Sequence, residues 1–151
     1  MIDEFSGRTF LTDSEASTGT LAEKLAAVIR PGSVLLLSGE LGSGKTAFVR
    51  GLASGLGLDP ATVSSPTFTL IQEYRGSRSL VHVDLYRLEP REIPELGLNE
   101  VFESNAVVAV EWPDRLPEEP PGAIRVAFED LGDDRRRITV GPIGPENYSE
   151  R

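Results

Sequence analysis

Residues 39–46 read Gly-Glu-Leu-Gly-Ser-Gly-Lys-Thr, a complete G-x-x-x-x-G-K-[ST] pattern. Each residue type has a chemical reason to be there. Gly39, Gly42 and Gly44 permit backbone angles that aim successive N–H groups at phosphate oxygens. Lys45 can reach the β- and γ-phosphates of a nucleotide, and the Thr46 hydroxyl can ligate magnesium. Lys24 and Lys45 are the only lysines in the chain, which makes Lys45 conspicuous.

A phosphate loop of this kind requires an acidic residue at the end of a neighbouring strand, holding magnesium through the Thr hydroxyl and water. Asp84 ends the apolar run Val81-His82-Val83, and Glu111 ends Val107-Val108-Ala109-Val110. Strands parallel to Val34–Leu37 would bring both carboxylates to the phosphate rim, so both are read as functional, Glu111 the more strongly because its strand is wholly apolar. Thr67, after Ser65-Pro66, could meet a γ-phosphate in a switch-like role, and could equally start a strand. Arg87 is either a transition-state cation or a surface ion pair. His82, between two valines, reads as structural; Trp112 as a stacking surface or core; and Arg135-Arg136-Arg137 as a solvated hairpin edge.

The elements that must position these residues follow from periodicity and turn chemistry. Phe5–Leu11 reads as a strand, and Thr12-Asp13-Ser14-Glu15 as a capping box opening a helix that carries Leu21, Leu25, Val28 and Ile29 and stops at Pro31-Gly32. Val34–Leu37 is apolar without alternation, the pattern of a strand covered on both faces. After the phosphate loop, Phe48, Leu52 and Leu56 share one face of a second helix. Thr67–Tyr74 and Leu80–Leu85 read as a hairpin around Gly76-Ser77, Arg91–Ser104 as helical turns broken by Pro94 and Gly97, and 113–122 as a surface loop. Ile124–Phe128 and Arg137–Val140 read as a closing hairpin around Asp130–Asp134, followed by a frayed tail over 143–151. The sum is a single α/β domain over 1–151, with a three-layer P-loop NTPase-like fold and a mostly parallel central sheet with antiparallel strands at its edges.

Composition narrows the chemistry further. The 151 residues carry 15 Lys+Arg against 24 Asp+Glu, a formal charge of −9, which argues against direct attachment to DNA, RNA or an anionic membrane. There is no cysteine and one histidine, which excludes thiolate metal sites, cysteine nucleophiles and His-rich zinc centres. No apolar run approaches a membrane span, and the acidic start Met1-Ile2-Asp3-Glu4 lacks the pattern of a signal peptide, so a cytoplasmic protein is expected.

The phosphate loop, Ser65-Pro66-Thr67-Phe68-Thr69-Leu70, His82-Val83-Asp84-Leu85-Tyr86-Arg87-Leu88 and Val110-Glu111-Trp112-Pro113 occur in the order and spacing of one family. The chain resembles the TsaE (YjeE) family from about Leu11 to Val140, with Ser43 where Ala is usual and Ala47 where a second Thr is common. The resemblance implies a weak ATPase that uses ATP and Mg2+ and works with TsaD-like and TsaB-like partners. That complex attaches a threonylcarbamoyl group to the adenosine beside the anticodon of tRNAs reading codons that begin with A. The TsaE-like subunit would meet tRNA only through the complex, and would reset the transferase between rounds. By the same resemblance residues 41–46 cradle the phosphates, Thr46, Glu111 and Asp84 surround the metal, Thr67 senses the γ-phosphate, and the base lies near Thr12 or Asp13 and the Gly132–Arg135 turn. A small-molecule kinase, with Arg87 and Arg91 starting a lid, and a non-catalytic nucleotide-dependent binding module are the alternatives.

Overall fold

The computed structural model describes residues 2–40, 44–63 and 70–147. Seven strands form one sheet: β1 (Thr9–Thr12), β2 (Val34–Ser38), β3 (Ile71–Tyr74), β4 (Leu80–Asp84), β5 (Val107–Glu111), β6 (Ile124–Gly132) and β7 (Arg135–Val140). Their order across the sheet is β1-β7-β6-β2-β5-β4-β3. β6, β2, β5 and β4 are mutually parallel, while β3, β7 and β1 each join antiparallel to their neighbour. The apolar strands β2 and β5 sit in the middle because only there are both faces covered.

Two helices, α1 (Glu15–Ala26) and α2 (Lys45–Gly55), cover one face. Leu21, Leu25, Phe48 and Leu52 meet Leu35, Leu37, Ala109, Ile124 and Ile138 there. The opposite face of the sheet, Leu36, Val83, Val108 and Val110, is closed by a 3-10 segment (Pro90–Leu96) and the short α3 (Leu98–Phe102) through Ile93 and Leu98. Gly97, in the left-handed region at φ 70°, separates the two.

α1 and α2 touch backbone to backbone. A Cβ placed on Gly51 would lie 2.2 Å from the Gly19 carbonyl oxygen, and one on Gly55 would lie 2.5 Å from that of Glu23. This contact fixes α2, and with it the start of the helix that follows the phosphate loop.

Local expectations change at four places, the first being that the strand expected over Phe5–Leu11 runs over Thr9–Thr12, residues 5–7 forming a turn before it. Ser14, not Thr12, caps α1: its Oγ accepts from the Ser17 N–H at 3.0 Å, and Ser17 Oγ accepts from the Ser14 N–H at 3.1 Å. Thr12 ends β1 opposite Arg136, and its buried hydroxyl bonds that of Thr18 at 2.7 Å. The strand expected over Thr67–Tyr74 is regular from Ile71, residues 64–69 lying outside the described residues. The tail expected to fray from 143 is held through 147: Ile143 joins the core, and Asn147 is buried, donating to Gly122 and accepting from the Arg30 N–H. Among the described residues no helix is long and apolar enough to cross a membrane.

Candidate nucleotide site

β2 ends at Ser38, and α2 begins at Lys45. Gly44, at the helix cap, has φ 101°, a left-handed conformation that L side chains rarely adopt, and no side chain caps the helix. The free N–H groups and dipole of the α2 N-terminus therefore face a cleft of ≈ 200 Å3. Lys45, Thr46, Asp84 and Glu111, drawn from α2, β4 and β5, all line it.

Lys45 is only 4% exposed. Its Nζ donates to the Gly39 carbonyl at 2.7 Å, stands 4.0 Å from Glu111 Oε1, and lies 4.7 Å from the centre of the Trp112 ring. Burial pulls the ammonium below its ordinary pKa, against the opposing pull of Glu111, Asp84 and Asp114. A desolvated cation on the wall of a cleft is a strong partner for an anion.

Asp84 and Glu111 are register partners on the adjacent parallel strands β4 and β5. Burial is the largest influence on Asp84 and raises its pKa; nearby Glu111 adds to the rise, while the Tyr86 N–H, His82 and Lys45 oppose it. Its Oδ1 accepts the Tyr86 N–H at 3.0 Å. Two carboxylates side by side at the mouth of a cleft present oxygen ligands suited to a hard divalent cation. Among the described residues no group of three or more His, Asp or Glu could hold a metal alone. Magnesium bound chiefly by phosphates and water requires no such cage, so the residues present fit it.

His82, read from sequence as structural, is part of this arrangement. It is 0% exposed, and its Nε2 donates to Glu111 Oε2 at 2.5 Å. Its Nδ1 has no hydrogen-bond partner among the described residues. The bond fixes the Glu111 carboxylate with one oxygen on His82 and the other towards Lys45. The sequence signal was the parity of the strand: His82 and Asp84 are two apart on β4 and share its face.

Trp112 follows Glu111 in the left-handed region, φ 60°, a conformation costing a bulky residue on the order of 1–3 kcal/mol. Its half-buried ring lies over Lys45 and 4.9 Å from that of Tyr86. Arg136, also missed as a site residue, lines the cleft, while Arg135 and Arg137 are exposed. The cleft wall near the expected base position consists of Ser14, Glu15 and Thr18 with Asp134 and Arg136. Arg87 is exposed, Arg91 pairs with Glu89 at 3.0 Å, and neither lines the cleft. Leu41, Gly42, Ser43 and Thr67 lie outside the described residues.

Comparison with known proteins agrees with this geometry. Residues 12–138 match the family model described as threonylcarbamoyl adenosine biosynthesis protein TsaE. A tRNA threonylcarbamoyladenosine biosynthesis protein TsaE from Bacillus subtilis (strain 168) is 42% identical over 135 residues, 88% of this chain and 84% of that one. The protein of the same name from Nostoc sp. is 43% identical over 145 residues, 91% of this chain and 88% of that one. A crystal structure of Bacillus subtilis YdiB superposes with a TM-score of 0.72 at 37% identity, covering 91% of this chain and 86% of that one. With an α/β fold shared with YdiB and a match spanning most of its length, the chain belongs to the TsaE family.

Proposed function

We propose that this chain is a cytoplasmic, single-domain ATPase that acts in the synthesis of threonylcarbamoyladenosine in tRNA. It works with TsaD-like and TsaB-like proteins, hydrolysing ATP to reset the TsaD-containing transferase between rounds, and is not itself the transferase. The observation that carries the reading is the convergence of Lys45, Thr46, Asp84 and Glu111 on one cleft at the N-terminus of α2. The relatives' shared name supports the pathway.

In this reading the N–H groups at the start of α2 and the Lys45 ammonium bind the phosphates. The Thr46 hydroxyl would hold magnesium, with Glu111 and Asp84 completing its surroundings. The ion, when bound, neutralises charge on the transferring phosphate. Glu111, oriented by His82, positions the attacking water, with Asp84 beside it. Thr67 senses the γ-phosphate by family resemblance. Among the described residues, Arg50 and Arg136 are the arginines that line the cleft. Arg136 stands on β7, across β6 and β2 from the carboxylate strands, and Arg50 Nε is engaged by the Val63 carbonyl at 3.2 Å; in this reading a partner completes the reacting end. A supplied arginine contributes ~10³–10⁵ in rate, so turnover of the isolated chain is slow.

The test is the number of threonylcarbamoyladenosine residues formed per TsaD-like subunit in a reconstituted reaction. With this chain and ATP, many rounds are expected; with Lys45→Ala, the count stays near one. An equal count without this chain would overturn the reading.

A further inference from the structure

The ladder between β4 and β5 ends at its last register pair, Asp84 and Glu111. Each carboxylate therefore stands where regular pairing holds its strand from one side only, and the loops that follow must hold it from the other. Three ties join those loops. The Leu85 N–H donates to the Glu111 carbonyl at 3.2 Å. The ring of Tyr86 stands 4.9 Å from that of Trp112. Farthest out, Arg115 Nη1 donates to the Leu88 carbonyl at 2.5 Å. Leu88 follows Asp84 at the same interval as Arg115 follows Glu111, so the last tie closes both loops at matching points.

Both ends of that tie are firmly seated. Leu88 is buried in the second core with Leu85, Ile93 and Leu98, and its N–H returns to the Leu85 carbonyl at 3.1 Å. Arg115 ends the 3-10 turn Pro113–Arg115, with its N–H on the Trp112 carbonyl at 3.1 Å. Its side chain is half-buried, and a guanidinium donating to a carbonyl makes a strong, directed bond. Arg115 is not among the described residues lining the cleft, whereas both carboxylates are. It touches the loops that carry Asp84 and Glu111 and leaves the phosphate-binding end, Lys45 and the start of α2, to other elements.

We propose that Arg115 is a positioning residue for hydrolysis, fastening the loop after Asp84 to the loop after Glu111 so that both carboxylates face the attacking water in one geometry. The assignment rests on the ATPase reading of the cleft. A misplacement of about 1 Å at a reacting group costs on the order of a hundredfold in rate, so loss of the tie should act on turnover more than on nucleotide affinity.

The experiment follows phosphate release from Mg-ATP in two settings: single turnover by the full chain alone and in excess, and steady state with the partner proteins. Calorimetric titration with Mg-ATP and thermal unfolding accompany both. Arg115→Met and Arg115→Gln, two truncations of which either suffices if the other does not fold, are expected to lower both rates by the same factor, about tenfold to a hundredfold, with KM and affinity within about twofold of wild type. Arg115→Lys, which keeps a donor of similar reach, recovers part of the rate. Arg78→Met is the control for a merely structural bond: Arg78 Nη2 donates to the Ala26 and Ile29 carbonyls at the opposite end of β4, and its loss should lower Tm while kcat holds. Truncations of Arg115 that lower Tm and leave both rates at the wild-type value would overturn the assignment by making the bond structural alone. A rate loss seen only with the partners would overturn it by making Arg115 a docking contact. Weakened affinity with kcat unchanged would overturn it by placing Arg115 on the nucleotide. A wild-type chain that binds Mg-ATP and releases no phosphate, alone or with the partners, would overturn the ATPase reading itself, and the assignment with it.

Discussion

The seam between α1 and α2 makes a quantitative prediction about two glycines that sequence alone does not distinguish. An Ala Cβ at Gly51 would stand 2.2 Å from the Gly19 carbonyl oxygen, about 1.2 Å short of the 3.4 Å at which ordinary contact begins, and 2.8 Å from Ala22 Cβ. The obstruction is backbone, so the helices must part. Overpacking of this kind costs ~1–3 kcal/mol, and a backbone clash belongs at the upper end. Removing a helical glycine returns about 1 kcal/mol. Gly51→Ala should therefore destabilise by about 2 kcal/mol, lowering Tm by roughly 4–8 °C for a chain of this size. Gly19→Ala is the internal control. Its Cβ would lie 3.7 Å from the Ala47 carbonyl oxygen, an ordinary contact, so only the propensity gain remains. That variant should be more stable by about 0.5–1 kcal/mol. Thermal and urea unfolding of both variants, followed by circular dichroism, measures the two differences. Gly51→Ala as stable as wild type, or Gly19→Ala less stable than Gly51→Ala, would refute the close-packed seam. Parting the helices also moves Ser14 and Thr18 away from Gly44 and Lys45, so Gly51→Ala should bind nucleotide more weakly than Gly19→Ala.

Further predictions concern the site and its supports. Asp84 has a pKa raised above 3.8 by burial, so the folded state holds its proton more tightly, and stability falls as pH rises from about 3.8 through the raised value. Asp84→Asn removes that fall; its Tm advantage over wild type, read across a pH series, should open in that window and persist at neutral pH while hydrolysis is lost. Lys45→Met relieves a buried ammonium whose pKa burial has lowered, and should leave the fold at least as stable while titration with Mg-ATP shows binding abolished. His82→Gln keeps a donor towards Glu111 and should retain more kcat than His82→Leu, which is expected to lose about tenfold or more with a smaller change in KM. Ser14→Ala removes the α1 cap and should cost ~1 kcal/mol in urea unfolding.

Much of this molecule is legible in the chain itself, and the parts that are not share a cause. The loop and its flanking elements announce themselves because glycine geometry, an all-apolar strand and helical spacing point the same way over residues 34–56. Asp84 and Glu111 could be nominated because each ends an apolar run. Three features depend on which strands become neighbours, which local pattern does not encode. His82 reads as a core residue until β4 lies beside β5 and Glu111 comes within reach. Arg136 reads as solvated edge until β7 inserts between β1 and β6 and parity turns it inward. The α1 cap is misread because Thr12-Asp13-Ser14-Glu15 fits the Ser/Thr-x-x-Glu pattern, whereas the true cap, Ser14, has Ser17 in the reciprocal position. Pairing of β1 with β7 takes Thr12 into the sheet, and Ser14 is left to start the helix.

The central claim is a Lys45–Glu111 ATPase that a partner completes. Phosphate release from Mg-ATP, followed at steady state for the purified chain alone and with TsaD-like and TsaB-like proteins, tests it most directly. The account predicts slow release alone, a marked rise on mixing, and no rise with Lys45→Ala or Glu111→Gln. No rise on mixing despite demonstrated ATP binding and complex formation, or an undiminished rise with Glu111→Gln, would contradict it.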